Sequence, residues 1–133
     1  MTELRLQAND DNLSAVNAFV EEQLEANECP MKASMQMMIA LEELFVNVAH
    51  YAYGEGEGMV TVQVDKQEDL LLVRLIDEGR PFDPLAKADP NITLSAEERQ
   101  IGGLGIYMVK KTMDVFTYTR EDGKNIVTFG KKC

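Results

Sequence analysis

The sequence is poor in the residues that metal centres and disulfide scaffolds require. It has two cysteines, one histidine and no tryptophan in 133 residues. Cys29 and Cys133 are far apart in the sequence, and one of them is the last residue, so they do not indicate a disulfide framework. His50 has no second histidine and no cysteine nearby, which argues against a metal site at this position. We expect His50 to be a packing residue or to lie at the edge of a cleft.

Basic residues are also scarce. There are 13 lysines and arginines against 23 aspartates and glutamates, which gives a net charge of -10. This balance argues against DNA, RNA or an anionic membrane as a direct partner, because those surfaces attract a basic footprint. A basic or neutral protein partner is compatible with it. The sequence has no apolar run of membrane-spanning length and no N-terminal signal segment, so we expect a cytoplasmic protein.

The composition predicts one folded domain over residues 1–133, with 45% hydrophobic residues to form its core. Alternating and helical apolar patterns predict an α+β chain in the order strand, helix, helix, two strands, loop, helix, two strands. Strands are predicted at 2–8, 59–64, 70–76, 115–119 and 125–130, and helices at 13–26, from Pro30 onward and at 106–113.

The most informative segment is the apolar helix over residues 40–53. At about 100° per residue, Glu43 and Asn47 lie within about 40° of each other on one stripe, opposite an apolar face. Because a long charged side chain seldom points into an interior without a partner, this stripe predicts a cleft beneath it. The alternative is an ordinary amphipathic helix with a hydrated face.

Two further segments carry polar or glycine signals at the ends of predicted elements. Asp77 follows a strand of apolar residues and begins a turn with Glu78 and Gly79. Downstream, a Gly102-Gly103-Leu104-Gly105 turn opens a helix, where free backbone N–H groups and the helix dipole favour a phosphate. A glycine cluster taken alone is also compatible with a simple loop.

These three elements, in this order, resemble the GHKL nucleotide-binding superfamily. That superfamily includes type II topoisomerases, mismatch-repair ATPases, histidine-kinase catalytic domains and the anti-sigma factor serine kinases. The chain is most similar to the stand-alone bacterial anti-sigma serine kinases, which also carry Glu four residues before the Asn of the motif. The resemblance implies a two-layer sandwich in which helices cover one face of a mixed, mainly antiparallel sheet, the histidine kinase-like ATPase fold.

The resemblance also implies roles for the site residues. Asn47 would ligate Mg²⁺ together with phosphate oxygens and water. Asp77 would accept a hydrogen bond from the amine of adenine, with Gly79 leaving room for a water beside it. The turn of Gly102, Gly103, Leu104 and Gly105 would hold the phosphates under a lid at about 85–101.

Glu43 matches the general base of the resembled kinases, which takes the proton of the attacking hydroxyl. The alternative is a solvated carboxylate, or one paired with a nearby Lys or Arg. One departure from the family is visible: Asn125 stands where many members have a threonine whose hydroxyl supports the adenine carboxylate. An amide can donate a similar hydrogen bond.

The resemblance therefore implies an ATP- and Mg²⁺-dependent protein serine/threonine kinase of the anti-sigma type. Its substrate would be a small anti-anti-sigma-like protein, and it would hold a sigma factor as a client. Two alternatives share the pocket: a non-catalytic module that senses ATP or ADP and switches a partner, and a slow ATPase. The first two helices, with Met35, Met37 and Met38, are the candidate interface for a partner or a homodimer, and Met38 is predicted to lie in the buried stripe.

Overall fold

The computed structural model describes residues 1–54, 56–86 and 103–133. Within these ranges the predicted order of strands and helices is confirmed, and the fold is α+β. The strands are β1 (Thr2–Gln7), β2 (Met59–Gln67), β3 (Leu70–Asp77), β4 (Val115–Glu121) and β5 (Lys124–Lys132), and the helices are α1 (Leu13–Ala26), α2 (Met31–Tyr51) and α3 (Gly103–Thr112). Two short 3-10 turns lie at Asp10–Asn12 and Pro84–Ala86.

The five strands form one sheet in the order β1-β2-β3-β5-β4, and all four described pairings are antiparallel. Successive strand residues alternate between faces, so one face of the central strands is apolar and enclosed. In β2 this face carries Val60, Val62 and Val64, all buried. The register places Asp77, the last residue of β3, opposite Asn125 of β5. The sheet therefore brings two polar side chains together at one end.

The helices supply the other half of the core. Val16, Val20 and Leu24 recur along α1 at helical spacing, and all three are buried. The sequence predicts Met38 in the buried stripe of α2, and Met38 does pack against the core. Met37 is fully buried, whereas Met38 is only partly buried against the edge of the core, because one position rotates a side chain by about 100°.

The end of α1 is stabilised by a Schellman motif. The N–H of Cys29 donates to the carbonyl of Leu24 at 3.0 Å, and the N–H of Glu28 donates to Glu25 at 3.0 Å. Glu28 has a φ of 52°, in the left-handed region that glycine normally occupies at this position. This cap turns the chain from α1 toward α2.

Cys29 and Cys133 form a disulfide, with their Cα atoms 4.7 Å apart. The interpretation that the two cysteines do not indicate a disulfide framework is corrected by this pairing, because their separation of 104 residues along the sequence says little about their distance in space. The end of β5 lies beside the start of β3, where the N–H of Cys133 donates to the carbonyl of Asp69 at 2.8 Å. The disulfide links the α1–α2 connection to the end of the sheet where β5 finishes and β3 begins.

None of the helices in the described ranges has both the length and the apolar character needed to cross a membrane.

Candidate functional site

Asp77 is a carboxylate enclosed at the end of β3, only 3% exposed. The side chain of Asn125 and the N–H of Gly79 both donate to its Oδ1, each at 2.9 Å. No other described residue donates to this carboxylate, and Oδ2 accepts no hydrogen bond from the described part of the chain. Burial raises the pKa of the Asp77 carboxyl above its ordinary value of 3.8, while the hydrogen bonds from Asn125 and Gly79 and the charge of Arg120 oppose that rise.

Asn125 is the centre of the hydrogen-bond network around Asp77. Its Nδ2 donates to Asp77 and, at 2.7 Å, to the carbonyl of Arg80. The expectation that an amide at this position supports the carboxylate is consistent with this geometry. Because the residue is only 2% exposed, both amide hydrogens need a partner inside the protein, and each has one.

The Oδ1 of Asn125 is the acceptor side of the same network. It accepts hydrogen bonds from the hydroxyl of Tyr118 at 2.5 Å and from Nη1 of Arg120 at 3.1 Å. The sequence interpretation did not include these two residues. The hairpin did contain the signal, because the turn at Asp122 and Gly123 places Arg120 directly opposite Asn125. Tyr118 and Arg120 hold the amide in the orientation that donates to Asp77.

The segment after β3 is fastened to the end of α2. The N–H of Arg80 donates to the carbonyl of Ala52 at 2.8 Å, and Nε of Arg80 donates to the carbonyl of Tyr51 at 2.7 Å. A Cβ on Gly79 would overlap the backbone of Ala52. Glycine at 79 is therefore required by close backbone packing, and the expected room for a water beside Asp77 stays a prediction. Tyr53 adds a further tie, because its hydroxyl accepts from the N–H of Glu78 at 2.8 Å.

Asn47 lies one turn after Glu43 on α2 and is buried, as the helical stripe predicted. Its Nδ2 makes no hydrogen bond with any described residue. The side chain borders a small cavity, whose lining is mainly apolar: Leu44, Asn47, Val48, Ala52, Asp77, Phe82, Pro84, Asn125 and Val127. An unsatisfied buried amide is rare and costs stability, so Asn47 is a candidate contact for a polar ligand beside Asp77.

Glu43 lies against the first turn of α3. A Cβ at Gly105 would overlap the Glu43 carboxylate, so the absence of a side chain at 105 is what lets the carboxylate approach this helix. The structure thereby brings α2 and the glycine-opened helix together, with Glu43 at their junction. Gly105 makes room for Glu43, and the phosphate contact expected for this glycine stays a prediction.

The remaining predicted site residues are placed only in part. Gly103 and Leu104 begin α3, so the helix that was predicted at 106–113 exists but starts earlier, within the glycine turn. Gly102 and most of the predicted lid lie outside the described residues. His50 is outside the site: its Nε2 lies 2.8 Å from Oδ2 of Asp10, in an exposed pair that joins α2 to the turn before α1.

Comparison with protein families matches residues 6–131 to the histidine kinase-like ATPase domain. The matched range contains β2, β3, β4, all three helices and every candidate site residue, together with the last two residues of β1 and β5 as far as Lys131. The family match and the described fold agree in class and in the order of elements.

Several curated relatives carry the name serine-protein kinase RsbW. The proteins of Listeria innocua and of Listeria monocytogenes serotype 4b are each 31% identical over 101 residues, which is 72% of this chain and 64% of theirs. The protein of Bacillus cereus is 30% identical over 95 residues, 68% of this chain and 59% of its own. The matches therefore span less than two thirds of the length of these relatives.

Proposed function

The chain belongs to the histidine kinase-like ATPase domain family, and on this premise we propose that it is an ATP-dependent protein serine kinase of the anti-sigma type. The observation that carries the proposal is the placement of Asp77, Asn47 and Glu43 around one junction of β3, α2 and α3. The relatives named serine-protein kinase support phosphotransfer to a protein hydroxyl. The proposed substrate is a small anti-anti-sigma-like protein, and the proposed client is a sigma factor.

The cavity residues fit an adenine nucleotide. Asp77 offers Oδ2 as an acceptor for the exocyclic amine of adenine, and apolar side chains such as Val127 and Leu44 offer contacts to the faces of the ring. Guanine carries a carbonyl at the corresponding position, which would face the carboxylate without a proton between them. The network of Asn125 fixes the orientation of the acceptor and thereby supports the choice of base.

Asn47 is the proposed ligand of Mg²⁺ through its Oδ1. An amide oxygen suits this hard cation, which commonly keeps several waters and binds substrate phosphates. The metal, when bound, would neutralise charge on the phosphate oxygens. In the described part of the chain no cluster of three or more histidine, cysteine or acidic side chains offers another cation site. The unsatisfied Nδ2 of Asn47 would then face the hydration shell of the bound nucleotide.

Glu43 is the proposed general base. Its position beside Gly105 puts the carboxylate at the start of α3, where the resembled kinases bind phosphate. The residue would take the proton of the attacking serine hydroxyl and would orient that oxygen for transfer. Positioning and charge stabilisation account for most of the catalysis in phosphoryl transfer, so a single base suffices.

The cavity in this conformation holds about 10 Å³, room for about one water molecule. A purine base does not fit this volume, and we propose that it enters when the segment that carries Phe82 and Pro84 moves outward. Phe82 is stacked on Tyr51, with ring centroids 5.6 Å apart, so binding would disturb this stack. This coupling between pocket and surface favours a second candidate, a module that senses ATP or ADP and switches a protein partner without phosphotransfer.

The test is the transfer of γ-labelled phosphate from Mg-ATP to purified small antagonist-type proteins from the same source. ATP binding is followed in parallel by calorimetry. We expect Glu43→Gln to lower transfer by about 10²- to 10⁴-fold while ATP affinity is retained. Glu42→Gln is the matched control, because Glu42 is the neighbouring carboxylate and is exposed on a different side of α2.

Label on a partner protein that disappears in Glu43→Gln and persists in Glu42→Gln would support the kinase. ATP binding without label, combined with partner affinity that differs between ATP and ADP, would favour the sensing module. Free phosphate released without a partner would indicate an ATPase. Failure of the wild-type protein to bind ATP would overturn the pocket assignment.

A further inference from the structure

A long groove lies between α1 and α2, away from the proposed nucleotide pocket. It has a volume of about 880 Å³, and none of the residues that line it borders the cavity at Asp77. The C-terminal half of α1 forms one wall, and the first turns of α2 form the other. The proposed phosphotransfer makes no use of this groove.

The wall from α2 carries an apolar stripe that is exposed in the described part of the chain. Met31, Met35 and Ile39 recur every four residues and are 79%, 59% and 62% exposed. At about 1.5 Å per residue, the stripe is about 12 Å long. An exposed helix face normally carries polar side chains, so three large apolar residues in one row are informative where single ones would not be. A row of this kind is typical of a surface that contacts another molecule.

The wall from α1 carries an acidic rim. Glu21, Glu22 and Glu25 line the groove and are exposed. None of the three makes an ion pair with another described residue. The rim therefore presents uncompensated negative charge beside the apolar stripe, in a chain whose net charge is already -10.

We propose that this groove binds an amphipathic helix of a partner protein, with its apolar face on the stripe and lysines or arginines against the rim. Helices bind in apolar grooves through anchors spaced by one turn, and the stripe repeats with that spacing. Methionine side chains adapt to the shape of such anchors. A second copy of this chain fits less well, because it would add a further excess of acidic groups to an acidic rim.

The test uses the whole protein with its methionine methyl groups labelled with ¹³C. The probe is an 18-residue amphipathic peptide of leucine and lysine, compared with the same pattern of leucine and glutamate. Affinity is measured by fluorescence anisotropy, and the contact site is read from the methyl spectra. We expect the lysine peptide to bind at least tenfold more tightly than the glutamate peptide. The signals of Met31 and Met35 should shift, whereas that of Met108, which is 46% exposed on α3, should not.

Matched variants distinguish binding of the peptide in the groove from non-specific electrostatic attraction to an acidic protein. Met35→Gln combined with Ile39→Gln should weaken binding of the lysine peptide at least tenfold, whereas Met108→Gln should leave it unchanged. Glu22→Gln with Glu25→Gln should weaken binding severalfold more than Glu57→Gln with Glu121→Gln. The two pairs remove the same charge from exposed positions, so only location differs between them.

Equal affinity of all variants would overturn the proposal, because the peptide would then bind elsewhere. A protein that sediments as a dimer without peptide, and loses that dimer in Met35→Gln with Ile39→Gln, would show that a second copy occupies the groove and would also overturn it. The titration needs no nucleotide. Its outcome is therefore independent of whether the protein binds ATP or transfers phosphate.

Discussion

Asp77→Asn separates the function of this carboxylate from its role in the fold. The oxygen of an asparagine amide can replace Oδ1 and accept the hydrogen bonds from Asn125 and Gly79, both 2.9 Å long in the wild type. The amide nitrogen then occupies the position of Oδ2. The side chain therefore presents a donor to the amine of adenine, where the wild type presents an acceptor.

The loss in affinity follows from that exchange. A buried hydrogen bond to a charged group contributes about 1.5–3 kcal/mol, so we expect ATP to bind about 10- to 150-fold more weakly to the variant. Selection for adenine over guanine should fall by a similar factor, because the guanine carbonyl can accept from the new amide. Glu78→Gln is the control, since it removes an exposed carboxylate at the neighbouring position.

The free energy of unfolding of Asp77→Asn should not fall with its ATP affinity. The folded state raises the pKa of Asp77 above its ordinary value of 3.8, so between these two values the folded protein binds more protons than the unfolded chain. The contribution of this group is therefore fully present below pH 3.8 and is lost as the pH rises through the folded pKa. Asparagine does not ionise, so Asp77→Asn avoids the cost of a buried charge at neutral pH. The unliganded variant should therefore be at least as stable as the wild type at pH 7.

Calorimetric titration with ATP and GTP, together with urea unfolding between pH 3 and 8, would measure both effects. Unchanged ATP affinity in Asp77→Asn would refute the assignment of Asp77 as the adenine acceptor. A variant less stable than the wild type at pH 7 would show that the carboxylate serves the fold, contrary to the sign derived from its pKa.

Three further changes test other parts of the structure. Gly105→Ala should displace the Glu43 carboxylate and lower phosphotransfer at least tenfold in the labelled-phosphate assay. In thermal unfolding, this variant should lower the melting temperature of the protein less than a core substitution would. Glu28→Gly should stabilise the protein by about 1 kcal/mol in urea unfolding, because glycine tolerates the left-handed cap. Cys133→Ser should lower the free energy of unfolding by about 2–5 kcal/mol under oxidising conditions, and reductant should bring the wild type down to the variant.

The elements of this fold were predictable because local signals agree with the tertiary structure. The predicted helix at 13–26 coincides with α1, and Pro30 immediately precedes α2. Apolar alternation predicted β2 and β3, although β2 continues three residues beyond its predicted end at Val64. Those three residues are polar or charged and pair with Leu70, Leu71 and Leu72, so backbone pairing extended the strand beyond its apolar pattern.

Contacts between distant segments were less predictable. Helical periodicity indicated a buried face of α2 that included Met38. Met37 is the fully buried methionine and Met38 is only partly buried, because the packing of α2 against the sheet determines which residues lie at the centre of that face. The disulfide required knowledge of where β5 ends in relation to the α1–α2 connection. The role of Gly79 required knowledge that Ala52 approaches its backbone. Each of these features depends on a distance that no local pattern encodes.

The strongest physical indication of a ligand is that two unfavourable features share one cavity. Asp77 is a carboxylate whose ionised form is disfavoured by burial. Asn47 buries an amide nitrogen that donates a hydrogen bond to no described residue. Apolar residues at both positions would make a more stable unliganded protein. Natural sequences keep such local conflicts mainly where function requires them. A nucleotide that donates to Asp77 and brings ordered water to Asn47 would relieve both conflicts together.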